Sequence, residues 1–352
     1  MKAAFVSVVP SPYQRDLFRA LAARAEVKLS VFYLEAAAPD SPWPEKALAP
    51  YEQILRGTWL PLGSARCHVN WPLPDLHAYD VVVMNTLMSL TGQWLMRTSL
   101  RGRRWFFWGE RLSRGGALHE ALAAPLHRAA GIASIGTFAE QDYRDRFPEP
   151  QHFRIPYHCD LTAFLAVPRR VRDDGRVVFL FCGQMIARKG LDHLLAAFAR
   201  LADGARLLLV GREADLPALL APLPAEVRAR IEYAGFQAPE ELPRFFAQAD
   251  VFVLPSRYDG WGVVVNQALG AGLPIICSDQ VGAGYDLVEE NVNGLKFRVG
   301  DVAMLAEKMA RLVANPETLA PWGEASRSRA LAWTPERGAA KWVEAFTTVL
   351  AR

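Results

Sequence analysis

Arg188 and Lys189 stand side by side in GQMIARKG, bracketed by Gly183 and Gly190. Further along, Asp259 and Gln267 sit eight residues apart in SRYDGWGVVVNQALGAG (256–272), a stretch otherwise made largely of glycine and small aliphatics. A carboxylate accepts hydrogen bonds from hydroxyls, and an amide both donates and accepts, so the pair can grip a polyhydroxylated ligand at two points. Gly260 and Gly262 leave the backbone bare on either side of Trp261. Amide N–H groups there can approach an anion at the positive end of the helix that starts near Gly262. A phosphate fits such a place. Taken singly, Asp259 could cap that helix, Gln267 could bridge two helices, and Arg188 and Lys189 could be solvated; their joint spacing favours a ligand.

These residues need strand ends and helix starts to hold them, and the chain supplies both. AAFVSVV, a turn at PSPYQ, the helical DLFRALAARA and VKLSVFYL read as strand, helix, strand. Buried strands follow at 80–84, 105–108 and 131–135, with helical segments at 115–130 and 137–147. Their continuous Val, Ile and Phe runs suit strands covered on both faces. A second series starts after PRRVRDDGR (168–176): VVFLFCG, the helix LDHLLAAFARLA, ARLLLVG, IEYAG, the helix EELPRFFAQA, VFVLP, the helix VVVNQALGAG, PIICS, and LKF with the helix MLAEKMARLVA. Length alone suits two cores. The expectation is an α/β chain of two Rossmann-like, doubly wound domains, 1–165 and 166–332, and a helix over 333–352 that could stay with the second or return to the first.

With that frame, residues 170–315 resemble the retaining glycosyltransferases of family four (GT4), which have the GT-B fold. GQMIARKGLDHLLAAFARL, LLLVG, PSRYDGWGVVVNQALGAGLPIICS and GYDLVEENVNGLKF match the family in order and spacing. The first half is only loosely similar, with IPYHCDLTAF (155–164) where the family has a proline, asparagine, glycine, aspartate and phenylalanine pattern. The resemblance implies that Arg188 and Lys189 neutralise the diphosphate of a nucleotide-sugar, that the amides around Gly262 and Val263 bind its distal phosphate, that Asp259 meets the sugar hydroxyls, and that Gln267 meets the ribose. Gly211, Arg212 and Phe236, with Gly235, fall where the family forms its base pocket; Gly183, Gly260 and Trp261 complete the expected donor contacts. The family has glutamate at both positions: Asp259 is one methylene shorter, and Gln267 still bonds ribose hydroxyls but loses a charge-assisted bond worth about 1 kcal/mol, which weakens the donor contact without requiring loss of activity. Glu110 follows an apolar strand where the family often supplies a histidine. It could contact the sugar or acceptor, or pair with a nearby arginine.

No metal and no bound cofactor is expected, since no Asp-x-Asp pair is present and the nucleotide-sugar is a co-substrate. The expected partners are that donor and a glycan or lipid-linked acceptor of bacterial cell-surface synthesis. The formal charge of +3 is too small to imply nucleic acid. Residues 1–160 hold 18 Lys/Arg against 15 Asp/Glu, and 161–352 hold 22 of each, so the excess lies in the first part. It concentrates at Arg97, Arg101, Arg103, Arg104, Arg111 and Arg114, interleaved with Trp94, Leu95, Trp105, Phe106, Phe107 and Trp108. One reading is a helix end leading into a buried strand. The other is a surface for anionic lipid headgroups. Cys67, Cys159, Cys182 and Cys277 lack metal-ligand spacing and suit a reducing compartment, so the expected location is the cytoplasm, with peripheral contact at the inner face of the membrane. MKAAFVSVV faintly resembles a secretion signal, but Pro10 and Pro12 cut it to the length of a first strand. His158, Cys159 and Asp160 read as linker residues, and His119 and His127 as structural residues on one helix face. Two other functions compete: a nicotinamide-dependent oxidoreductase, which would need a G-x-G-x-x-G absent from VVPSPYQ and FCGQMIARKG, and a non-catalytic nucleotide- or glycan-binding relic of a transferase.

Overall fold

The computed structural model describes residues 1–37, 47–62, 65–112, 115–168 and 175–352. The chain divides into two compact units, Met1–Cys159 with Pro335–Arg352, and Asp160–Thr334. Arg114 and most of the arginine-rich segment 168–176 lie outside the described residues.

The first unit contains β1 (Lys2–Ser7), β2 (Lys28–Tyr33), β3 (Glu52–Ile54), the hairpin β4 (Gly57–Leu62) and β5 (Ala65–Asn70), β6 (Val81–Met84), β7 (Trp105–Gly109), β8 (Gly131–Ser134) and β9 (Gln151–Arg154). Seven of these form one parallel sheet in the order β3-β2-β1-β6-β7-β8-β9. The second unit contains β10 (Val177–Cys182), β11 (Ala205–Val210), β12 (Ile231–Tyr233), β13 (Val251–Leu254), β14 (Ile275–Ser278) and β15 (Gly294–Phe297), all parallel, in the order β12-β11-β10-β13-β14-β15. Each sheet therefore reverses its winding once, between β1 and β6 and between β10 and β13. The loops leaving those adjacent strands turn opposite ways and open a crevice at the carboxyl edge. The strands carry unbroken buried apolar runs, as covering on both faces requires.

The division falls after Cys159 rather than after residue 165. The short helix Thr162–Leu165 packs Phe164 on Phe246 at 5.2 Å between ring centroids. Arg327 then ties the exit from this helix to the second unit, donating to the carbonyls of Leu165 and Val167 at 2.6 and 2.9 Å. The last helix, Pro335–Leu350, belongs to the first unit. Its Trp342 is fully buried among Phe5, Phe106, Trp108 and Phe346, with ring centroids 5.2–5.8 Å away. Gly338 brings this helix against His158, where a Cβ would lie 2.8 Å from the His158 Cβ. His158 is no exposed linker residue. Burial pushes its imidazole down to about 4, and Nδ1 lies 2.8 Å from the Pro156 carbonyl oxygen, so the neutral ring donates there.

The polarised stretch is a helix end leading into a buried strand, as one of its two readings has it: Trp105, Phe106, Phe107 and Trp108 lie in the buried strand β7, and Leu95 is buried too, whereas Trp94, Arg97, Arg101 and Arg104 reach the surface. One further expectation changes. The helix read over 115–130 is a helix at Ala117–Ala123 followed by a tighter turn, so His119 and His127 do not share one helix face. His127 instead pairs with Glu149 at 2.9 Å.

Trp342 supplies much of the contact between the last helix and the β1–β7 face. Trp342→Ala should lower the stability of the first unit by about 3–5 kcal/mol. Among the described residues the indole Nε1 has no hydrogen-bond partner, so Trp342→Phe should cost well under half of that. Urea unfolding of the three proteins measures both, and equal losses would show that the buried volume is not what matters.

Candidate functional site

The β10–β13 crevice gathers the charged residues. The loop after β10 runs through Gly183 to a short turn at Ala187–Lys189, and the loop after β13 runs from Pro255 to Val263. The loops are stitched together. The Arg257 N–H donates to the Arg188 carbonyl at 2.8 Å, and the Arg257 guanidinium grips Asp192 through two hydrogen bonds of 2.5 and 2.8 Å. Gly190 permits this approach. It has φ of +68°, and any Cβ there would collide with the Pro255 carbonyl oxygen.

Across this seam Lys189 Nζ donates to Asp259 Oδ2 at 2.5 Å, with both side chains largely buried. Ser256 Oγ donates to the same oxygen at 3.2 Å, and Ser278 Oγ holds the Ser256 carbonyl at 2.6 Å. Arg188 is half-exposed: one guanidinium nitrogen lies 3.7 Å from Asp259 Oδ1 and donates to the Tyr258 carbonyl at 3.0 Å. Two cations thus share one carboxylate, which leaves net positive charge at the crevice. Beneath Lys189, burial pushes the Cys182 thiol up to about 12, so it is not a thiolate nucleophile.

Asp259 does not cap the following helix. That helix, Val264–Gly270, has Val263 at its N-cap and no side-chain cap. The chain turns into it at Gly262, whose φ of +89° suits glycine. Among the described residues, the Gly262 and Val263 N–H groups form no hydrogen bond, so they remain available to an anion. Gln267, half-buried on the helix, likewise makes no side-chain hydrogen bond among the described residues and is not an inter-helix bridge. Trp261 corrects the expectation for its side chain. The indole is fully buried, donates to Asn266 Oδ1 at 2.9 Å and packs on Trp333, so it anchors the loop and cannot touch a ligand.

A second group lies across the ends of β10, β11 and β12. The Gly183 N–H donates to the Val210 carbonyl, the Gly211 N–H to the Gly235 carbonyl and the Tyr233 hydroxyl to the Gly211 carbonyl, at 2.9, 2.9 and 3.0 Å. Arg212 is exposed, and its carbonyl accepts from the Met185 N–H at 3.1 Å. Phe236 is 44% exposed, an apolar ring set out beside bare backbone.

Glu110 belongs to the other unit, at the carboxyl end of β7. Its neighbour Arg111 pairs with Asp142 at 3.4 Å. Close by, the Glu110 charge acts on the hydroxyl of Tyr157, a buried residue beside Gln14. Burial, then the charge of Glu110, holds that hydroxyl well above its usual value, so it stays protonated. Gln14 continues the chain: its amide donates to Asn85 Oδ1 at 2.9 Å, and Asn85 donates to the Trp108 carbonyl at 2.7 Å. Ser11 therefore uses its hydroxyl on Gln14, at 3.3 Å, rather than as a helix cap. This network crosses the β1–β6 crevice and escaped the sequence reading. Tyr157 and Gln14 carry no spacing signal, because they meet only through the sheet order.

Residues 167–329 match the family model described as glycosyl transferases group 1. Over 226 residues the chain is 30% identical to the GDP-mannose-dependent alpha-(1-6)-phosphatidylinositol monomannoside mannosyltransferase of Mycobacterium tuberculosis, covering 57% of this chain and 58% of that protein. It is also 30% identical over 172 residues to the alpha-maltose-1-phosphate synthase of Mycolicibacterium smegmatis, covering 45% and 44%. The chain thus spans well under two thirds of either relative. Among solved structures, the sucrose-phosphate synthase of Thermosynechococcus elongatus superposes with a TM-score of 0.78 over 100% of this chain and 99% of its own, at 21% identity. Alr3699/HepE of Anabaena, solved in complex with UDP, superposes with a TM-score of 0.75 over 99% and 100%, at 16% identity. The chain has the GT-B fold, and its residues 167–329 are similar to the glycosyl transferases group 1 family.

Proposed function

We propose that this protein is a retaining, metal-independent glycosyltransferase that moves a sugar from a nucleotide-diphosphate sugar to a glycan or lipid-linked acceptor in cytoplasmic steps of bacterial cell-surface polysaccharide synthesis. The observation that carries the proposal is the surplus of positive charge at the β10–β13 crevice, where Arg188 and Lys189 share Asp259 beside the unbonded amides of Gly262 and Val263. The names of relatives agree with it, since one uses GDP-mannose and a structural neighbour was solved with UDP.

In the proposed reaction the bond between the sugar C1 and the diphosphate oxygen breaks, and its electron pair leaves with the nucleoside diphosphate. The acceptor hydroxyl forms the new bond to C1 on the same face, and its proton passes to the departing phosphate oxygen. Positive charge grows on the sugar and negative charge on the diphosphate. Arg188, Lys189 and the helix amides stabilise that anion because they are already in place and need no reorganisation. These groups supply the charge that a metal would supply, so the proposal requires none. Asp259 holds Lys189 until the donor arrives and then meets the sugar hydroxyls. Gln267 takes the ribose, and the base lies by Phe236 and Arg212. The first unit takes the acceptor, with Glu110 as the carboxylate presented to a substrate hydroxyl and Tyr157 fixing its orientation.

Incubation with a panel of nucleotide-sugars tests the activity: the true donor should slowly release nucleoside diphosphate. Binding without turnover for every donor would replace this proposal with a binding relic. Lys189→Ala should weaken binding of the nucleoside diphosphate by about tenfold to a hundredfold in calorimetry, the worth of one charge-assisted contact. Asp259→Asn removes the competing carboxylate, so it should leave that binding equal or tighter while turnover falls. Unchanged affinity in Lys189→Ala would take the lysine out of the site.

Gln267→Glu should retain or strengthen donor binding, since a carboxylate accepts a charge-assisted bond from a ribose hydroxyl. A collapse of binding would contradict the ribose role. In the first unit, Glu110→Gln should reduce turnover at least about tenfold, and Tyr157→Phe by a smaller factor, with nucleoside diphosphate affinity untouched in both. Full turnover in Glu110→Gln would leave the carboxylate without a part in transfer.

A further inference from the structure

The first unit carries an apolar face that the transfer chemistry does not use. The helix Leu90–Arg97 is pinned from inside. Ser89 accepts from the Gly92 N–H at 2.8 Å, Gln93 donates to the carbonyls of Leu87 and Leu122, and Thr91 Oγ1 accepts from the Asn70 N–H of β5 at 2.8 Å. These contacts fix which side looks out. The outward stripe is Leu90, Trp94 and Arg97, prolonged by Arg101, and Trp94 is 60% exposed.

Thr91 also joins the helix to the hairpin. Beside Asn70, which it holds, stand Val69 and Trp71, the latter 76% exposed. In the β4–β5 register, Thr58 opposes Val69 and Leu60 opposes Cys67, so these four share one face. The opposite face carries His68 and Asn70, both buried, and Trp59, which lies 4.1 Å under the Arg66 guanidinium. The face of Leu60 and Val69 is mostly apolar and exposed, and the Asn70–Thr91 bond ties the β5 edge to the Leu90–Arg97 helix. The hairpin is an insertion between β3 and β6 and adds nothing to the sheet order.

Charge identifies what this face fits. Residues 55–104 contain six arginines and two acids. Both acids are turned onto backbone amides, Asp75 accepting from the His77 N–H at 2.9 Å and Asp80 from the Lys2 N–H at 2.7 Å. Arg56, whose carbonyl accepts from the Trp71 N–H at 2.9 Å, is exposed beside the tryptophan, and Arg101 and Arg104 are exposed past the helix end. Exposed tryptophans bracketed by arginines match the depth profile of a bilayer surface: aromatic rings at the level of the headgroups, and guanidinium groups on their phosphates. We propose that the outer face of the β4–β5 hairpin and the Leu90–Arg97 helix bind the surface of a bilayer containing anionic lipid. This attachment stands independently of the donor chemistry.

Sedimentation with phosphatidylcholine vesicles, with and without phosphatidylglycerol, tests it. The protein should sediment with the anionic vesicles at low salt and be released as salt rises. Replacing Trp71→Ala together with Trp94→Ala should reduce the bound fraction, and so should Arg56→Glu together with Arg101→Glu, each lowering partitioning by roughly tenfold or more. All four side chains are exposed, so melting temperature and nucleoside diphosphate affinity should not change. Loss of nucleotide binding in the unaltered protein would count against sugar transfer and leave the attachment standing. Absence of sedimentation with anionic vesicles at low salt, or sedimentation that neither double variant reduces, would overturn the proposal. So would self-association removed by the tryptophan variants without any vesicle binding, which would make the face a contact between copies of this chain.

Discussion

The Lys189–Asp259 ion pair is the contact around which the crevice of the second unit is arranged. Its partners come from loops seventy residues apart in sequence, and they meet only because β10 and β13 are neighbours in the sheet. A parallel sheet that winds both ways places its two central loops side by side at one edge, with bare backbone between them. The Arg257 amide and guanidinium then lock the loops together. The pair is largely shielded from water, so its geometry persists and a ligand meets charges that need no ordering.

This explains which parts of the site were legible in the sequence. Arg188, Lys189, Asp259 and Gln267 could be selected because polar residues between glycines at strand ends are rarely needed for packing. The alternation of buried strands with helices was equally plain, because strands covered on both faces write continuous apolar runs. What could not be read was pairing. Nothing in the local sequence says that Lys189 contacts Asp259, or that Gln14 contacts Asn85, because sheet order sets both. The place of the Trp261 ring was equally hidden: it fills the space under the loop, and Asn266 accepts from its N–H, so what the loop offers there is backbone.

Composition alone left residues 94–108 with two readings, because aromatic and basic residues run through the whole stretch while a helix and a strand with different burial divide it: Trp94 faces outward and Trp108 is fully buried. The short strands β3, β4, β5 and β9 were missed because three to six residues at a sheet edge or in a hairpin carry too little periodicity to stand out. The hairpin matters most, since it brings Trp71 beside a helix that the sequence places some twenty residues away.

The two units answer the same winding rule with different chemistry. At the β10–β13 crevice the polar groups are charged, and two cations compete for one carboxylate, so the arrangement is poised to accept an anion. At the β1–β6 crevice they are mostly neutral, a run of Ser11, Gln14, Asn85 and Tyr157 that ends on Glu110. A run of neutral donors and acceptors matches groups that both donate and accept, where two cations on one carboxylate match an anion. One fold thus yields a charged edge and a mostly neutral edge from the same topological position. The difference lies in which side chains each sheet brings to the strands on either side of its reversal.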